Sequence, residues 1–208
     1  MYTGVFGMCN YLPIMQKNAE IPHSSTPPSL WVKRFLPLVK PTGLVLDLAA
    51  GGGRHSRLLR DGGFAVRAVD RDVSALLPLA GPRCEVLQID LETGAAWRLG
   101  DGYDGIIVTN YLHRPLLAAI RQALAPGGVL IYETFALGNE RLGRPQNPDF
   151  LLRPRELLEA FATLTVIAFE QGGVTAPRPA VVQRIAAVAG PLARLPEAAA
   201  LDTSLPRE

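Results

Sequence analysis

The stretch LVLDLAAGGGRHSRLL, residues 44 to 59, places an apolar strand pattern directly before three consecutive glycines and the basic start of a helix pattern. Glycine loses more conformational freedom on folding than any other residue, so three glycines after a buried strand require a reason. A backbone that has to pass close to a ligand supplies that reason. The stretch therefore predicts a strand, a loop that approaches a ligand, and a helix, in that order.

Strand and helix patterns alternate from residue 44 onward. Apolar runs predict strands at residues 44–48, 65–69, 84–89, 104–109, 129–135, 164–169 and 180–188. Helices are predicted between them at residues 54–61, 73–79, 114–124 and 155–161, after a short helix that begins near Ser29. Apolar strands that alternate with helices are typical of an α/β fold whose parallel sheet is covered on both faces. The EQGGVTAPRP connection between the last two strands suits an antiparallel pair.

Composition supports a globular domain and excludes several other classes. Hydrophobic residues make up 48% of the 208 residues and charged residues 19%, which does not fit a disordered chain. We expect an irregular arm at residues 1–28, where prolines and glycines interrupt any periodic pattern, one domain at 29–190, and a tail at 191–208. A net charge of +2 gives no indication of nucleic acid or an anionic membrane as a partner.

Targeting signals and metal motifs are not expected. The first thirty residues carry no charged start followed by a sustained apolar run, so we expect neither a signal peptide nor a membrane span. Cys9 and Cys84 stand far apart without the spacing of a zinc site, so neither a disulfide nor a metal site is expected. These features favour a cytoplasmic protein, and they leave its oligomeric state open.

Polar residues recur where the predicted strands end. Asp47 lies late in the first strand, Asp70 follows the second, and Asp90 follows the third. Asn110 follows the fourth strand, and Glu133 lies late in the fifth. In open parallel sheets, ligands bind outside the carboxyl ends of the strands, near the point where the strand order reverses. The recurrence therefore predicts a ligand site along this edge rather than a set of solvated loop residues.

Asp70 and Asp47 indicate two parts of one ligand. Asp70 lies twenty-three positions after Asp47, close to the spacing at which an acid meets ribose hydroxyls in dinucleotide-binding folds. A nicotinamide dinucleotide is the rival ligand, but Ser56 interrupts its Gly-x-Gly-x-x-Gly fingerprint. An acid directly before the glycine loop would also repel a pyrophosphate. Asp47 instead favours a ligand with positive charge, such as a sulfonium that carries an α-amino group.

Four motifs carry a resemblance to a known family. LDLAAGGGRH, AVDRD, QIDLE and ALAPGGVLIYETF resemble, in this order, the motifs of class I S-adenosylmethionine-dependent methyltransferases. Within that family, the chain is similar to the small bacterial enzymes grouped with the tellurite-resistance methyltransferases, over residues 31 to about 189. The resemblance implies a Rossmann-like, doubly wound sheet of seven mostly parallel strands with an antiparallel last strand. It also implies S-adenosyl-L-methionine as the cofactor.

The resemblance implies contacts of the glycine loop with the methionine part of the cofactor. Gly51 and Gly53 would let the backbone pass close to this part, and Asp47 would favour its ammonium. Ala49 stands where many relatives have glycine, which is a small change and leaves cofactor binding expected. Arg54, at the start of the following helix, would pair either with the cofactor carboxylate or with an anionic acceptor.

The resemblance also implies contacts with the adenosine part. Asp70 would bind the ribose, and Arg71 would flank the adenine. Asp90 and Leu91 would meet the amino edge and the face of the adenine. The NYLH segment, Asn110 to His113, would line the space between the methyl group and the substrate.

The NYLH segment also holds the best-placed candidate for a general base. Oxygen nucleophiles and some nitrogen nucleophiles need a base near neutral pH, whereas soft nucleophiles such as thiolates need little proton chemistry. His113 is the candidate base, with Tyr111 and Glu133 behind it, and a capping or substrate-shaping role for His113 is equally open. His55, one step into the helix after the glycine loop, is expected to be structural or to face solvent.

Residues 136–157 form the most unusual segment of the chain, because few of them suggest regular structure before Pro154. Loops longer than about 12–15 residues are uncommon in compact domains and often serve as lids or binding loops. This one follows the fifth strand, beside the expected acceptor site. We expect Arg141 or Arg144 to contact an anionic or polar acceptor, with a solvated charged loop as the alternative.

The class of the methyl acceptor follows less directly from the sequence. Aromatic residues make up only 7% of the chain, and NYLH lacks the Pro-Pro-aromatic pattern of amino-directed DNA methyltransferases. A nucleic-acid enzyme of this size would show a broader basic surface or stacking aromatic residues. A small molecule is therefore the favoured acceptor, while RNA, a protein, or a non-catalytic protein that binds the cofactor remain open.

Overall fold

A single mixed sheet organises the protein, whose computed structural model describes residues 26–93 and 99–192. Within these residues the strands are β1 (Leu44–Leu48), β2 (Ala65–Asp70), β3 (Cys84–Gln88), β4 (Tyr103–Thr109), β5 (Leu124–Phe135), β6 (Thr165–Val174) and β7 (Ala180–Val188). Their order in the sheet is β3-β2-β1-β4-β5-β7-β6. The pairs along β3 to β5 are parallel, whereas β7 is antiparallel to both β5 and β6. The fold class predicted from the sequence is confirmed.

The strand order places a reversal between β1 and β4. The chain builds outward from β1 to β3, returns across the sheet, and continues from β4 on the other side of β1. Loops that leave β1 and β4 in opposite directions open a crevice at the carboxyl ends of these two strands. Asp47 lies near the carboxyl end of β1, in register with Ala68 of β2 and Ile107 of β4.

Four short α-helices cover the described part of the sheet. They are α1 (Leu30–Phe35), α2 (Arg54–Asp61), α3 (Leu117–Gln122) and α4 (Glu156–Ala160). Ser29 starts α1, because its side-chain oxygen accepts hydrogen bonds from the backbone N–H groups of Trp31 and Val32. The sequence predicted α2 with the bounds that the structure shows.

Two predicted helices differ from the structure. Residues 73–79 form a turn followed by a 3-10 helix at Leu77–Leu79, since Pro78 removes a backbone donor and Asp72 accepts the N–H of Ser74 in a competing local turn. The predicted helix at 114–124 begins with a 3-10 turn at Arg114–Leu116, continues as α3, and ends at Gln122. The helix ends there because Leu124 already pairs with Tyr103 of β4.

The fifth strand begins earlier than predicted, and the APGG segment is a bulge inside it rather than a break before it. Leu124 pairs with Tyr103, and the next pair in the register joins Val129 to Gly105. Gly128 is required here, because a Cβ atom at this position would lie 2.5 Å from the carbonyl oxygen of Tyr103. β6 is also longer than predicted, and extends along β7 as far as Val174.

Two hydrophobic clusters pack on opposite faces of the sheet. One contains Leu46 and Ile106 of the central strands and is covered by α3 and α4. The other contains Val45 and Ile107 and is covered by α1 and α2. Successive residues of the central strands therefore enter different clusters, which explains why these strands are apolar along their whole length.

Both chain ends lie largely beyond what the structure describes. The predicted arm at residues 1–28 and the predicted tail at 191–208 are covered only at 26–28 and 191–192. Among the described helices, none is long and apolar enough to cross a membrane.

Candidate functional site

The glycine loop between β1 and α2 runs through three residues with positive φ angles. Ala49, Gly51 and Gly53 have φ values of 55°, 53° and 74°. A Cβ atom on Gly51 would meet no protein atom within 4 Å, whereas one on Gly53 would lie 2.8 Å from Cδ2 of Leu76. Gly51 therefore borders open space in which a ligand can approach the backbone. Gly53 is needed because the loop packs against the chain after β2.

Asp47 is a buried carboxylate below this loop, with 1% of its surface exposed. The Ser56 hydroxyl, in the first turn of α2, donates a hydrogen bond of 2.5 Å to Oδ2 of Asp47. Burial raises the pKa of Asp47 to about 6, although the hydrogen bonds from Ser56 and the charge of Arg54 oppose this shift. A cationic neighbour would therefore stabilise the ionised form of this buried carboxyl group.

Asp70, which ends β2, holds the glycine loop in place. Its Oδ2 atom accepts a hydrogen bond of 2.7 Å from the N–H of Gly51, and Oδ1 accepts one of 3.1 Å from the N–H of Asp72. Each carboxylate oxygen has a second lone pair, so the half-buried side chain retains capacity for ligand hydroxyls. The sequence indicated the ligand role of Asp70 but not this structural one.

The predicted adenine contacts surround the ends of β2 and β3. Arg71 is exposed, and its carbonyl oxygen accepts a hydrogen bond of 3.0 Å from the side chain of Gln88. Asp90 is exposed and accepts the N–H of Glu92 at 2.9 Å, which fixes the turn after β3. Leu91 is half-buried against the cluster of the α3 and α4 face. An acid and an apolar side chain thus stand together at this end of the crevice.

The chain turns sharply after β4 at Asn110, which has a φ of 55° and is anchored by its N–H to the carbonyl oxygen of Glu133 at 2.9 Å. Asparagine tolerates this left-handed conformation better than most residues. Tyr111 follows, and the Tyr132 hydroxyl donates to its carbonyl oxygen at 2.9 Å. Burial and the nearby charge of Glu92 raise the pKa of the Tyr111 phenol.

The three predicted catalytic residues do not form one group. Glu133 lies with its Oε2 atom 2.6 Å from Nε of Arg184, in an ion pair on the face covered by α1 and α2. The phenol of Tyr111 lies on the opposite side, against the cluster of the α3 and α4 face. His113 is half-buried and caps the 3-10 turn with its carbonyl oxygen, which accepts the N–H of Leu116.

Arg184 is a site residue that the sequence analysis missed. Its one signal is a charge inside the apolar strand AVVQRIAAV of β7. Because β7 pairs with β5 in a register that sets Arg184 opposite Glu133, the charge of this carboxylate is balanced within the sheet. Glu133 therefore forms an ion pair within the sheet, and the catalytic roles of Glu133, Tyr111 and His113 stay predictions.

The first turn of α2 holds the segment that precedes α1. Nη1 of Arg54 donates to the carbonyl oxygen of Pro27 at 3.2 Å, and Nε2 of His55 accepts the N–H of Ser29 at 3.1 Å. Burial and the charge of Arg54 lower the pKa of His55 to about 3, so the ring is neutral and can accept this bond. His55 is therefore structural and buried rather than solvent-facing.

The long segment after β5 is anchored at several points. The side chain of Asn139 donates to the carbonyl oxygen of Arg144 at 3.3 Å and accepts the N–H of Val181 at 3.2 Å. Arg114, also missed from the sequence, donates from Nε to Glu156 at 2.7 Å and binds the carbonyl oxygens of residues 149 and 151. Two 3-10 helices, at Asn139–Arg141 and Pro148–Phe150, replace the predicted irregular chain.

Arg141 and Arg144 are exposed on this anchored loop. The side chain of Arg141 is 86% exposed, and its nearest charge is Glu140 at 3.9 Å. Both guanidinium groups are therefore accessible to an anion at the carboxyl end of β5. Within the described ranges, no cluster of three or more His, Cys, Asp or Glu side chains could hold a metal ion.

Comparison with known proteins identifies the fold. No protein-family model matches the chain. The crystal structure of TehB from Haemophilus influenzae has a TM-score of 0.63 at 16% identity, over 77% of this chain and 61% of TehB. The 1,6-didemethyltoxoflavin-N1-methyltransferase of Burkholderia thailandensis, crystallised with S-adenosylhomocysteine, has a TM-score of 0.55 at 23% identity, over 76% of each chain. The chain has the class I methyltransferase fold.

A sequence comparison agrees with this methyltransferase fold. The protein-L-isoaspartate O-methyltransferase of Chlorobaculum tepidum is 32% identical over 111 residues, which cover 49% of this chain and 49% of the relative. The chain therefore matches about half the length of this curated relative. The resemblance to class I methyltransferases that the four motifs predicted is confirmed. The roles of individual side chains stay predictions.

Proposed function

We propose that the protein is an S-adenosylmethionine-dependent methyltransferase that acts on a small polar or anionic acceptor. The observation that carries the proposal is the arrangement at the crevice between β1 and β4. There Gly51 borders open space, the buried carboxylate of Asp47 lies below the loop, and Asp70 lies beside it. The methyltransferases named above, one of them crystallised with S-adenosylhomocysteine, support the same cofactor.

The proposed cofactor suits the charges of this crevice. Asp47 would hold the ammonium of the amino-acid part, since a cation beside this buried carboxylate offsets the cost of its ionisation. Asp70 would accept the ribose hydroxyls with its remaining lone pairs, and Asp90 and Leu91 would meet the adenine. The bound cofactor supplies an electrophilic methyl group, and the protein's task is to align an acceptor with it.

Proton chemistry at the acceptor would depend on His113. The Glu133 carboxylate is engaged by Arg184, with Oε2 2.6 Å from Nε, so we assign the proton transfer to His113. His113 is half-buried at the end of β4 and would take a proton from an oxygen or nitrogen nucleophile. Arg141 and Arg144 would attract an acceptor of negative charge, and the anchored loop would hold them at the entrance.

A protein acceptor is the second candidate. The relative from Chlorobaculum tepidum is a protein-L-isoaspartate O-methyltransferase, and the loop arginines would suit the carboxylate of such a residue equally well. RNA methylation and cofactor binding without turnover complete the alternatives. An acceptor panel of thiols, phenols, chalcogen oxyanions, an isoaspartyl peptide and RNA separates them by product.

Calorimetric titration tests the cofactor first. We expect S-adenosylmethionine and S-adenosylhomocysteine to bind in the micromolar range and NAD not to bind. Asp70→Ala should abolish this binding. Asp72→Ala, which removes an equal charge two residues further on, should leave it intact. Binding of NAD instead, or of none of the three, would overturn the proposal.

Single-residue variants then test the acceptor site. Arg141→Ala or Arg144→Ala should raise the KM for the acceptor and leave the cofactor Kd unchanged. Equal losses of cofactor and acceptor affinity would remove both residues from the acceptor site.

His113→Ala should lower kcat for an oxygen acceptor about 10²-fold or more if His113 is a base, and much less for a thiol. Equal losses for both acceptors would indicate a shaping role.

A further inference from the structure

The Tyr111 side chain is held in a fixed direction. Its residue follows Asn110, whose left-handed turn is anchored to β5, and its own carbonyl oxygen accepts the hydroxyl of Tyr132. Tyr132 is fully buried, so this contact is part of the core. The ring of Tyr111 packs against the cluster of the α3 and α4 face. The phenol oxygen therefore has a position set by the fold rather than by solvent.

This phenol oxygen is buried without a hydrogen bond. Among the described residues, none lies within hydrogen-bonding geometry of it. A buried polar atom without a partner costs free energy and calls for an explanation. The charges that act on the phenol are those of three carboxylates at or beyond the ends of β3 and β2, opposed by one guanidinium: Glu92, Asp90, Asp70 and Arg71. The Tyr111 ring packs on the cluster that also holds Leu91, the residue predicted to meet the adenine face, and so lies toward that end of the crevice.

We propose that the Tyr111 hydroxyl donates a hydrogen bond to the adenosine part of the cofactor. This inference rests on the proposed function, and it gives Tyr111 a binding role in place of the catalytic one predicted from the sequence. Three nearby carboxylates and burial keep the phenol protonated, so it acts as a donor. Adenosine offers acceptors at its ring nitrogens and ribose oxygens, while the acids accept from its hydroxyls and amino group.

If Tyr111 has this role, Tyr111→Phe should lower the affinity for the cofactor without lowering the stability of the free protein. In the free protein, Tyr111→Phe removes a buried hydroxyl that lacks a partner, so stability should be unchanged or higher. In the complex, the same change removes a hydrogen bond, so affinity should fall about tenfold. A tyrosine that merely filled space would leave the affinity unchanged, and one that supported the fold would lower stability.

The experiment compares two ligands by calorimetry. S-adenosylhomocysteine contains adenosine and an amino-acid part, whereas 5′-methylthioadenosine lacks the amino-acid part. Tyr111→Phe should weaken both ligands by the same factor. Tyr103→Phe is the matched control, because its hydroxyl is buried but bonded to Leu99 and Arg67, away from the strand ends. This control should lower the unfolding midpoint and leave both affinities unchanged.

The outcomes separate this inference from the proposed function. If the wild-type protein does not bind S-adenosylhomocysteine, the proposed function fails, and the role of Tyr111 falls with it. If the wild type binds but Tyr111→Phe binds both ligands equally well, only the role of Tyr111 is refuted. Weaker binding of S-adenosylhomocysteine alone would refute it too, because the contact would then lie at the amino-acid part. A loss of free-protein stability like that of Tyr103→Phe would make Tyr111 a structural residue.

Discussion

The buried carboxylate of Asp47 should make cofactor binding depend on pH. An ammonium next to Asp47 is attracted only by the ionised form, and burial holds the pKa of the free carboxyl at about 6. A bound cation lowers this pKa, so the complex binds fewer protons than the free protein. Affinity is then greatest well above pH 6 and decreases as the pH falls through 6.

The size of the effect follows from the two ionisation states. About nine-tenths of the Asp47 carboxyl is ionised at pH 7 and about one-tenth at pH 5, given a pKa of about 6. If the pKa in the complex returns to its usual value near 3.8, the affinity for S-adenosylhomocysteine decreases about tenfold between these two pH values. At pH 6, binding releases about half a proton per molecule.

Calorimetry in buffers of different ionisation enthalpy measures both the affinity and the number of protons that binding releases. 5′-Methylthioadenosine, which has no ammonium, should bind equally at pH 5 and pH 7. Asp47→Asn should bind S-adenosylhomocysteine more weakly at pH 7 and lose the pH dependence, while Ser56 can still donate to the amide oxygen. His55, with a pKa of about 3, does not titrate between these values. An affinity that stays constant, or a pH dependence that persists in Asp47→Asn, would refute the reasoning.

Two further predictions concern stability. Ala49 has a left-handed φ of 55°, so Ala49→Gly should stabilise the protein by about 1 kcal/mol in urea unfolding, after the entropy of glycine is subtracted. Ala50→Gly, the control at the next position, should destabilise it, and a loss in both variants would show that Ala49 is not strained. The pKa of His55 is lower in the folded state, about 3, than its usual 6.5, so its stabilising contribution is present above pH 6.5 and decreases as the pH falls. The stability of the wild type relative to His55→Gln should therefore fall by about 2 kcal/mol between pH 7 and pH 5, and a constant difference would contradict this assignment.

The segment after β5 shows how the tertiary structure holds a loop that the sequence predicted to bind the acceptor. Its length and position indicated a binding loop beside the acceptor site. The loop is fixed by the ion pair of Arg114 and Glu156, which are 42 residues apart. Arg114 lies in the connection from β4 to β5, and Glu156 in the connection from β5 to β6. The Glu156 side chain is 8% exposed and that of Arg114 31%, so the pair is partly shielded from solvent and links both connections. The loop arginines are thus presented by a rigid support.

The sequence by itself determined the architecture of this protein. Apolar runs with the periods of strands and helices specify an alternating α/β chain, and residues 54–61 and 180–188 were predicted with the bounds that the structure shows. Local chemistry also placed Asp47, Asp70 and Asp90 at strand ends, which the parallel sheet brings to one edge. These features depend on neighbours in the chain, and such short-range information is fully contained in a sequence.

Only the tertiary structure decided how the side chains at this edge are partnered. Glu133 forms an ion pair with Arg184, because the antiparallel register of β7 on β5 puts the two residues opposite each other. The Tyr111 ring packs on the face covered by α3 and α4, whereas Glu133 lies on the opposite face with Arg184. Strand register and side-chain direction depend on elements that are distant in sequence. A shift of the register by one residue moves a side chain to the opposite face of the sheet. The elements were therefore predictable from local patterns, whereas the pairing of charges within the site was not.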